Sequence, residues 1–152
     1  MSKSLGVGRA TVLAAVLISA VAAVPSAVAQ SNPQPAGDGP AECGAGYTLE
    51  RLITLPEGDP SKRVATLHVY ESGSKGCVVL HSDMDRPQYL SLKVCNPIGS
   101  ECDTDSGNSR ESAGPVRISS YTCAPVTAKM ADTSSSTPYL NYTSEFVFPC
   151  DR

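Results

Sequence analysis

The sequence predicts an all-β fold, a small disulfide-bonded antiparallel sandwich or barrel of about seven strands. Three observations predict it. After residue 30 no stretch sustains a helical period, and short runs rich in Val, Thr, Tyr and Leu recur between turn residues. Several of these runs alternate apolar and polar side chains, the period of a half-buried strand. Six cysteines in a chain of 152 residues, all behind an export leader, read as a disulfide framework.

The leader comes first. Lys3 and Arg9 precede the almost wholly apolar stretch Ala10 to Val24, followed by Pro25 and the small-x-small triplet Ala27-Val28-Ala29. That order is a secretory signal peptide, so residues 1–29 are expected to be removed and the product secreted to the extracellular side. The apolar run is about 15 residues, short of the roughly 20 that span a bilayer. No second run of that length follows, so no transmembrane segment is expected. Losing Lys3 and Arg9 and no acid takes the formal net charge from -3 to -5. An acidic chain without a basic stripe does not fit nucleic acid, and its net charge disfavours anionic partners.

Residues 30–42 are rich in Pro, Gly and Gln, offer nothing to bury, and are expected to form a disordered arm. Residues 43–152 form a single β domain, long enough to enclose a core with the disulfides as reinforcement. Tyr47 to Leu55 is the first strand, ended by the Pro56-Glu57-Gly58-Asp59-Pro60 turn. Arg63 to Glu71 alternates most clearly, with Ala65, Leu67 and Val69 on one face and Thr66, His68 and Tyr70 on the other. Ser72 to Gly76 is a hairpin loop and Cys77 to His81 the returning strand. Tyr89 to Cys95 alternates again, with Leu90, Leu92 and Val94 inward. Asn96 to Gly114 reads as a long polar loop, and Val116–Tyr121, Val126–Met130 and Tyr139–Phe148 complete the strands.

The cysteines are Cys43, Cys77, Cys95, Cys102, Cys123 and Cys150. Six cysteines admit fifteen connectivities, and spacing alone does not choose among them. Cys95 and Cys102 flank a short segment with Pro97 and Gly99 that suits a local clip. Cys43 with Cys77 would tie the arm-proximal end to a hairpin strand, and Cys123 with Cys150 would tie down the C-terminus. With no Cys-x-x-Cys pair and no His at finger spacing, a zinc finger is not expected.

The cysteines sit among short motifs that resemble a known family. Cys43-Gly44-Ala45-Gly46-Tyr47 is followed by the Arg63–Tyr70 strand, Lys75-Gly76-Cys77-Val78-Val79, Thr104-Asp105-Ser106-Gly107, Ala113-Gly114-Pro115-Val116, then Cys123 and Cys150. This ordered set resembles the spore-associated protein A family of secreted actinobacterial proteins. The likeness covers most of residues 43 to 123. Members of that family carry four cysteines, so Cys95 and Cys102 are extra here, and the comparison favours a bridge between them. Where the family shows a Trp and glycines after the third Cys, this chain has Ala124-Pro125-Val126. The resemblance implies a small exported β-protein found with spores or aerial growth, and it supplies no catalytic residue.

Candidates for chemistry are few. His68 and His81 are the two histidines, and a hairpin would bring them close, with Asp83 and Asp85 near enough to draw a metal site or an acid–base pair. The plainer reading is two half-exposed strand histidines, one of them beside Tyr70. No Gly-x-Ser-x-Gly elbow supports a hydrolase. Asp103-Thr104-Asp105-Ser106-Gly107 resembles the start of a calcium loop, and Glu101, Asp103, Asp105 and Glu111 could gather around a cation. Asn108 and Gly114 stand where an EF-hand needs Gly and Glu, so an ordinary solvated acidic loop is the expectation. Asn141-Tyr142-Thr143 fits a glycosylation sequon, which in a bacterial protein usually carries no meaning. Tyr139, Tyr142, Phe146 and Phe148 could line a sugar or peptide platform, or serve as core.

The expectation is a non-catalytic secreted protein associated with the spore or cell surface, with no cofactor and no metal, whose partner is a spore or cell-wall component. The alternative is a secreted protease inhibitor that presents a disulfide-anchored loop, either the Cys95–Cys102 clip or the Cys123-Ala124-Pro125 segment.

Overall fold

A computed structural model describes residues 40–150; the expected leader, most of the expected arm and the last two residues lie outside the described residues. Eight strands form two antiparallel sheets of four, which bears out the all-β class. The strands are β1 (Thr48–Leu55), β2 (Ala65–Ser72), β3 (Lys75–Ser82), β4 (Gln88–Cys95), β5 (Cys102–Ser109), β6 (Ser112–Ile118), β7 (Val126–Ala131) and β8 (Leu140–Ser144). Sheet 1 has the order β1-β2-β3-β6 and sheet 2 the order β5-β4-β7-β8. A four-residue helical turn, α1 (Pro40–Cys43), precedes β1, so the last residues assigned to the arm are part of the fold.

The alternation read from the sequence drives the layering. Ala65, Leu67 and Val69 of β2 and Leu90, Leu92 and Val94 of β4 all point into one shared core. Gly73, at φ 62°, takes the first central position of the two-residue β2–β3 turn, where a II′ hairpin needs φ > 0. The chain changes sheets between β3 and β4, between β5 and β6, and between β6 and β7. Gly76 on β3 is buried beneath the stacked rings of Tyr121 and Phe148, whose centroids lie 5.2 Å apart. The one buried polar side chain among the described residues is Gln88. It accepts from Tyr139 Oη at 2.7 Å and donates to Ser82 Oγ, so neither end of its amide is left dry.

The sequence reading of 96–114 as a loop is corrected. Cys102–Ser109 is strand β5, paired along its whole length with β4 from Gln88↔Ser109 to Cys95↔Cys102. It buries no side chain, so it carries no hydrophobic signal. Strand β6 also starts earlier than expected, at Ser112, and bulges at Gly114-Pro115, where Gly114 has φ 105° and a Cβ would come 2.9 Å from Val78 O. The proline, which lacks an N–H, falls on an edge strand at a bulge, where no ladder bond is lost.

The three bridges are Cys43–Cys77, Cys95–Cys102 and Cys123–Cys150. Among the described residues no helix is long and apolar enough to cross a membrane.

Candidate functional site

The two histidines meet on the outer face of sheet 1. His68 pairs with Val79 and His81 with Thr66, which makes them diagonal neighbours on the same side of the β2–β3 hairpin. Their ring centroids lie 4.1 Å apart. A third group arrives from α1. Cys43 is bonded to Cys77, and Cys77, Val79 and His81 form one outward row on β3, so the residue before Cys43 is carried over the histidines. That residue is Glu42. Its Oε1 is 2.9 Å from His81 Nε2 and its Oε2 is 4.0 Å from His68 Nδ1.

Tyr70 braces the group from the next outward position of β2. Its hydroxyl donates to Glu42 Oε2 at 3.0 Å and lies 3.2 Å from His68 Nδ1. Around it, Cys43, Tyr70, Cys77 and Val79 form a second small core on this face, with Tyr47 and Leu49 against it. His81 Nε2 is shielded from water, yet Glu42 lies off its hydrogen-bonding direction and the nitrogen makes no aligned bond. Burial holds the His68 imidazole below its ordinary pKa, and the neighbouring His81 pushes the same way against the pull of Glu42 and Asp83. One ring nitrogen from each histidine and one Glu42 oxygen all lie within 4.8 Å of one another. An open depression of about 500 Å³ adjoins His81, lined by Asp83, Asp85, Arg110 and Glu111 among others.

Other expected groups are placed differently. Asp83 accepts from Thr66 Oγ1 at 3.1 Å and pairs with Arg63 at 3.2 Å, which ties it beside the histidine pair. Asp85 is exposed in the depression. The acidic segment is no loop around a cation. Asp105 accepts from Gly114 N at 2.7 Å, Asp103 from Arg117 N at 2.8 Å, and Glu101 from Ser119 Oγ at 2.7 Å. These alternate side chains of β5 and its approach cap the outer edge of β6 in place of a further strand. The aromatic tail forms no platform. Phe148 is fully buried, Tyr139 turns to Gln88, Tyr142 is half-buried and Phe146 stands 73% exposed.

The outer face of sheet 2 has a uniform chemistry that the sequence reading did not single out. Its outward positions are Thr104, Ser106 and Asn108 on β5, Tyr89, Ser91 and Lys93 on β4, Thr127 and Lys129 on β7, and Asn141 and Thr143 on β8. Each of these is a hydroxyl, an amide or a lysine; Ala131 and the Cys95–Cys102 bridge complete the face, and no strand position on it is a carboxylate. A hollow of about 320 Å³ opens on it, lined by Tyr89, Ser91, Lys129, Ser134, Ser136 and Pro138, with Ala131 at its floor.

Glu42 was missed because the arm composition around it reads as disorder. Its signal was indirect: pairing Cys43 with Cys77 brings residue 42 over the outward row of β3 that also carries His81. No protein-family model matches the chain, and neither a curated protein nor a solved structure matches it.

Proposed function

We propose that this chain is a non-catalytic exported protein held at the spore or cell surface, and that the outer face of sheet 2 holds it there by binding a hydroxyl-rich polysaccharide of the envelope. The observation that carries the reading is the chemistry of that face. A flat array of Ser, Thr and Asn beside one Tyr ring supplies donors, acceptors and a stacking surface for sugar hydroxyls. Lys93 and Lys129 make the face locally cationic on a chain of net negative charge, because the acids of β5 point the other way, to β6. Local charge rather than net charge then governs contact with acidic groups on the polymer, which revises the expectation drawn from composition.

Export is supported by the pairing of all six cysteines, a state kept in oxidising compartments, and by the leader-like residues 1–29. The resemblance to spore-associated proteins points to the same place. The non-catalytic reading rests on the surroundings of the histidines, which face Glu42 and Tyr70 and not a Ser or Cys nucleophile.

The test is fractionation of a sporulating culture into medium, washed hyphae and washed spores. The reading expects retention on spores or hyphae and release by salt. It also expects the Lys93→Gln/Lys129→Gln protein to appear in the medium. Wild-type protein found entirely in the medium defeats it.

The inhibitor reading keeps one supporting observation. Ile98, 85% exposed, tops the β4–β5 turn, which is clipped by Cys95–Cys102 and braced by Asn96 contacts to Ser100. Such a loop is preorganised for a cleft. The Cys123-Ala124-Pro125 segment is not, since Ala124 is buried and Pro125 O accepts from Cys95 N. Stoichiometric slowing of a subtilisin-like protease, abolished by Ile98→Asp, would favour this reading.

A further inference from the structure

We propose that Glu42, His68 and His81 bind one zinc(II) ion on the outer face of sheet 1. The inference does not depend on the polysaccharide reading, which concerns the opposite sheet, though it uses the same histidines on which the non-catalytic part of that reading rests. Two imidazole nitrogens and one carboxylate oxygen are a donor set suited to zinc; magnesium and calcium ask for six or more oxygens. At zinc bond lengths of about 2.0–2.2 Å, donors at tetrahedral angles stand about 3.4 Å apart. The three donors already lie within 4.8 Å of each other, so rotation of the side chains closes the site without moving a strand.

Three further features belong to such a site. The His81 Nε2 atom is buried beside a carboxylate without an aligned hydrogen bond, a poor arrangement for a merely structural pair and a good one for two ligands of a common ion. Tyr70 supplies the outer support that orients ligands, through its bonds to Glu42 Oε2 and at His68 Nδ1. Three protein ligands leave a fourth position for water, and an open depression adjoins the His81 side of the site. The ligands come from elements that are already rigid: the histidines from one hairpin, the glutamate from a turn bridged to the same strand.

The experiment uses the untagged, disulfide-intact protein, stripped with a chelator and titrated with zinc chloride by calorimetry. His68 and His81 are the only histidines, so two imidazole resonances report the site directly. The expected result is one zinc per chain, with both resonances shifting together and no competition from a large excess of calcium or magnesium. His81→Gln and Glu42→Gln should each weaken binding by at least about 10-fold, and Tyr70→Phe by about 10-fold while leaving one site. His68 is 14% exposed and its replacement risks the fold, so the more exposed His81 and Glu42 carry the test. No heat and no imidazole shift up to about 1 mM zinc, the weak end of binding, overturns the proposal. So does zinc affinity that is unchanged in folded His81→Gln protein, which would place the ion elsewhere.

Discussion

Replacing Gly76 by Ala tests the core at its tightest point. Alanine is normally the better strand residue, because glycine loses more backbone entropy on folding; on that ground alone the change would stabilise by about 0.5–1 kcal/mol. The structure reverses the sign. A Cβ on Gly76 would stand 2.6 and 2.7 Å from Phe148 Cζ and Cε1 and 2.9 Å from Tyr121 Cβ. Contacts of that kind need about 3.5–4.0 Å, so the Phe148 ring must retreat by roughly 1 Å. It has little room to do so. Phe148 is fully buried, stacked on Tyr121, and two residues from Cys150, which is bonded to Cys123. Overpacking of a filled core costs typically 1–3 kcal/mol, and a clash with the Phe148 ring and the Tyr121 Cβ together belongs at the upper end, about 2–3 kcal/mol net. At roughly 4 °C per kcal/mol for a domain of this size, Gly76→Ala should lower Tm by about 8–12 °C. Thermal unfolding with bridges intact measures it. In a Phe148→Leu background the same substitution should cost less than half as much, since the clashing ring is gone. A Tm equal to or above that of the parent refutes the seating of Phe148 on Gly76.

Three other outcomes are expected. Asp103→Ala together with Asp105→Ala strips the acceptors from Arg117 N and Gly114 N and opens the β6 edge; stability should fall by about 1 kcal/mol per site, discounted because water can substitute there, and light scattering should detect self-association that the Asn pair shows less strongly. Chain entropy ranks the bridges: loss of Cys43–Cys77, 34 residues apart, should cost about 4 kcal/mol, and loss of Cys95–Cys102, 7 residues apart, about 2.5 kcal/mol, by urea unfolding of the Ala pairs. In metal-free protein, His68 takes up a proton less readily folded than unfolded, with His81, Glu42, Asp83 and Tyr70 facing it. Its contribution to stability is complete above the ordinary His value of 6.5 and drains as pH falls below it, so urea midpoints should drop from about pH 7 to 5.

Much of the fold was legible in the sequence because burial writes a period into it. The runs around Leu67, Leu80, Leu92 and Ala128 alternate or stay apolar, and each became a core strand. Strand β5 was illegible for the same reason. Its sequence CDTDSGNS buries nothing, and what holds it is pairing to β4 and carboxylates turned to a neighbouring edge, neither of which leaves an apolar mark. The candidate site was half legible. A hairpin explains why His68 and His81 approach, and the strand pattern showed it. Glu42 depended on which of fifteen connectivities the cysteines choose, a long-range fact that no local pattern contains. The hydroxyl face of sheet 2 was spread over four strands, and its unity appears only when β4, β5, β7 and β8 are laid side by side.

The Cys43–Cys77 bridge sets an order of maturation. The hairpin alone keeps His68 and His81 together, but it is oxidation at Cys77 that fastens the segment bearing Glu42 above them. A newly made chain with reduced thiols would therefore hold two of the three ligands and grip a cation poorly. The site becomes complete only once the chain meets an oxidising environment. For a chain exported as proposed, ion capture is thereby deferred until the Cys43–Cys77 bridge has formed, and metal is drawn from outside the cell.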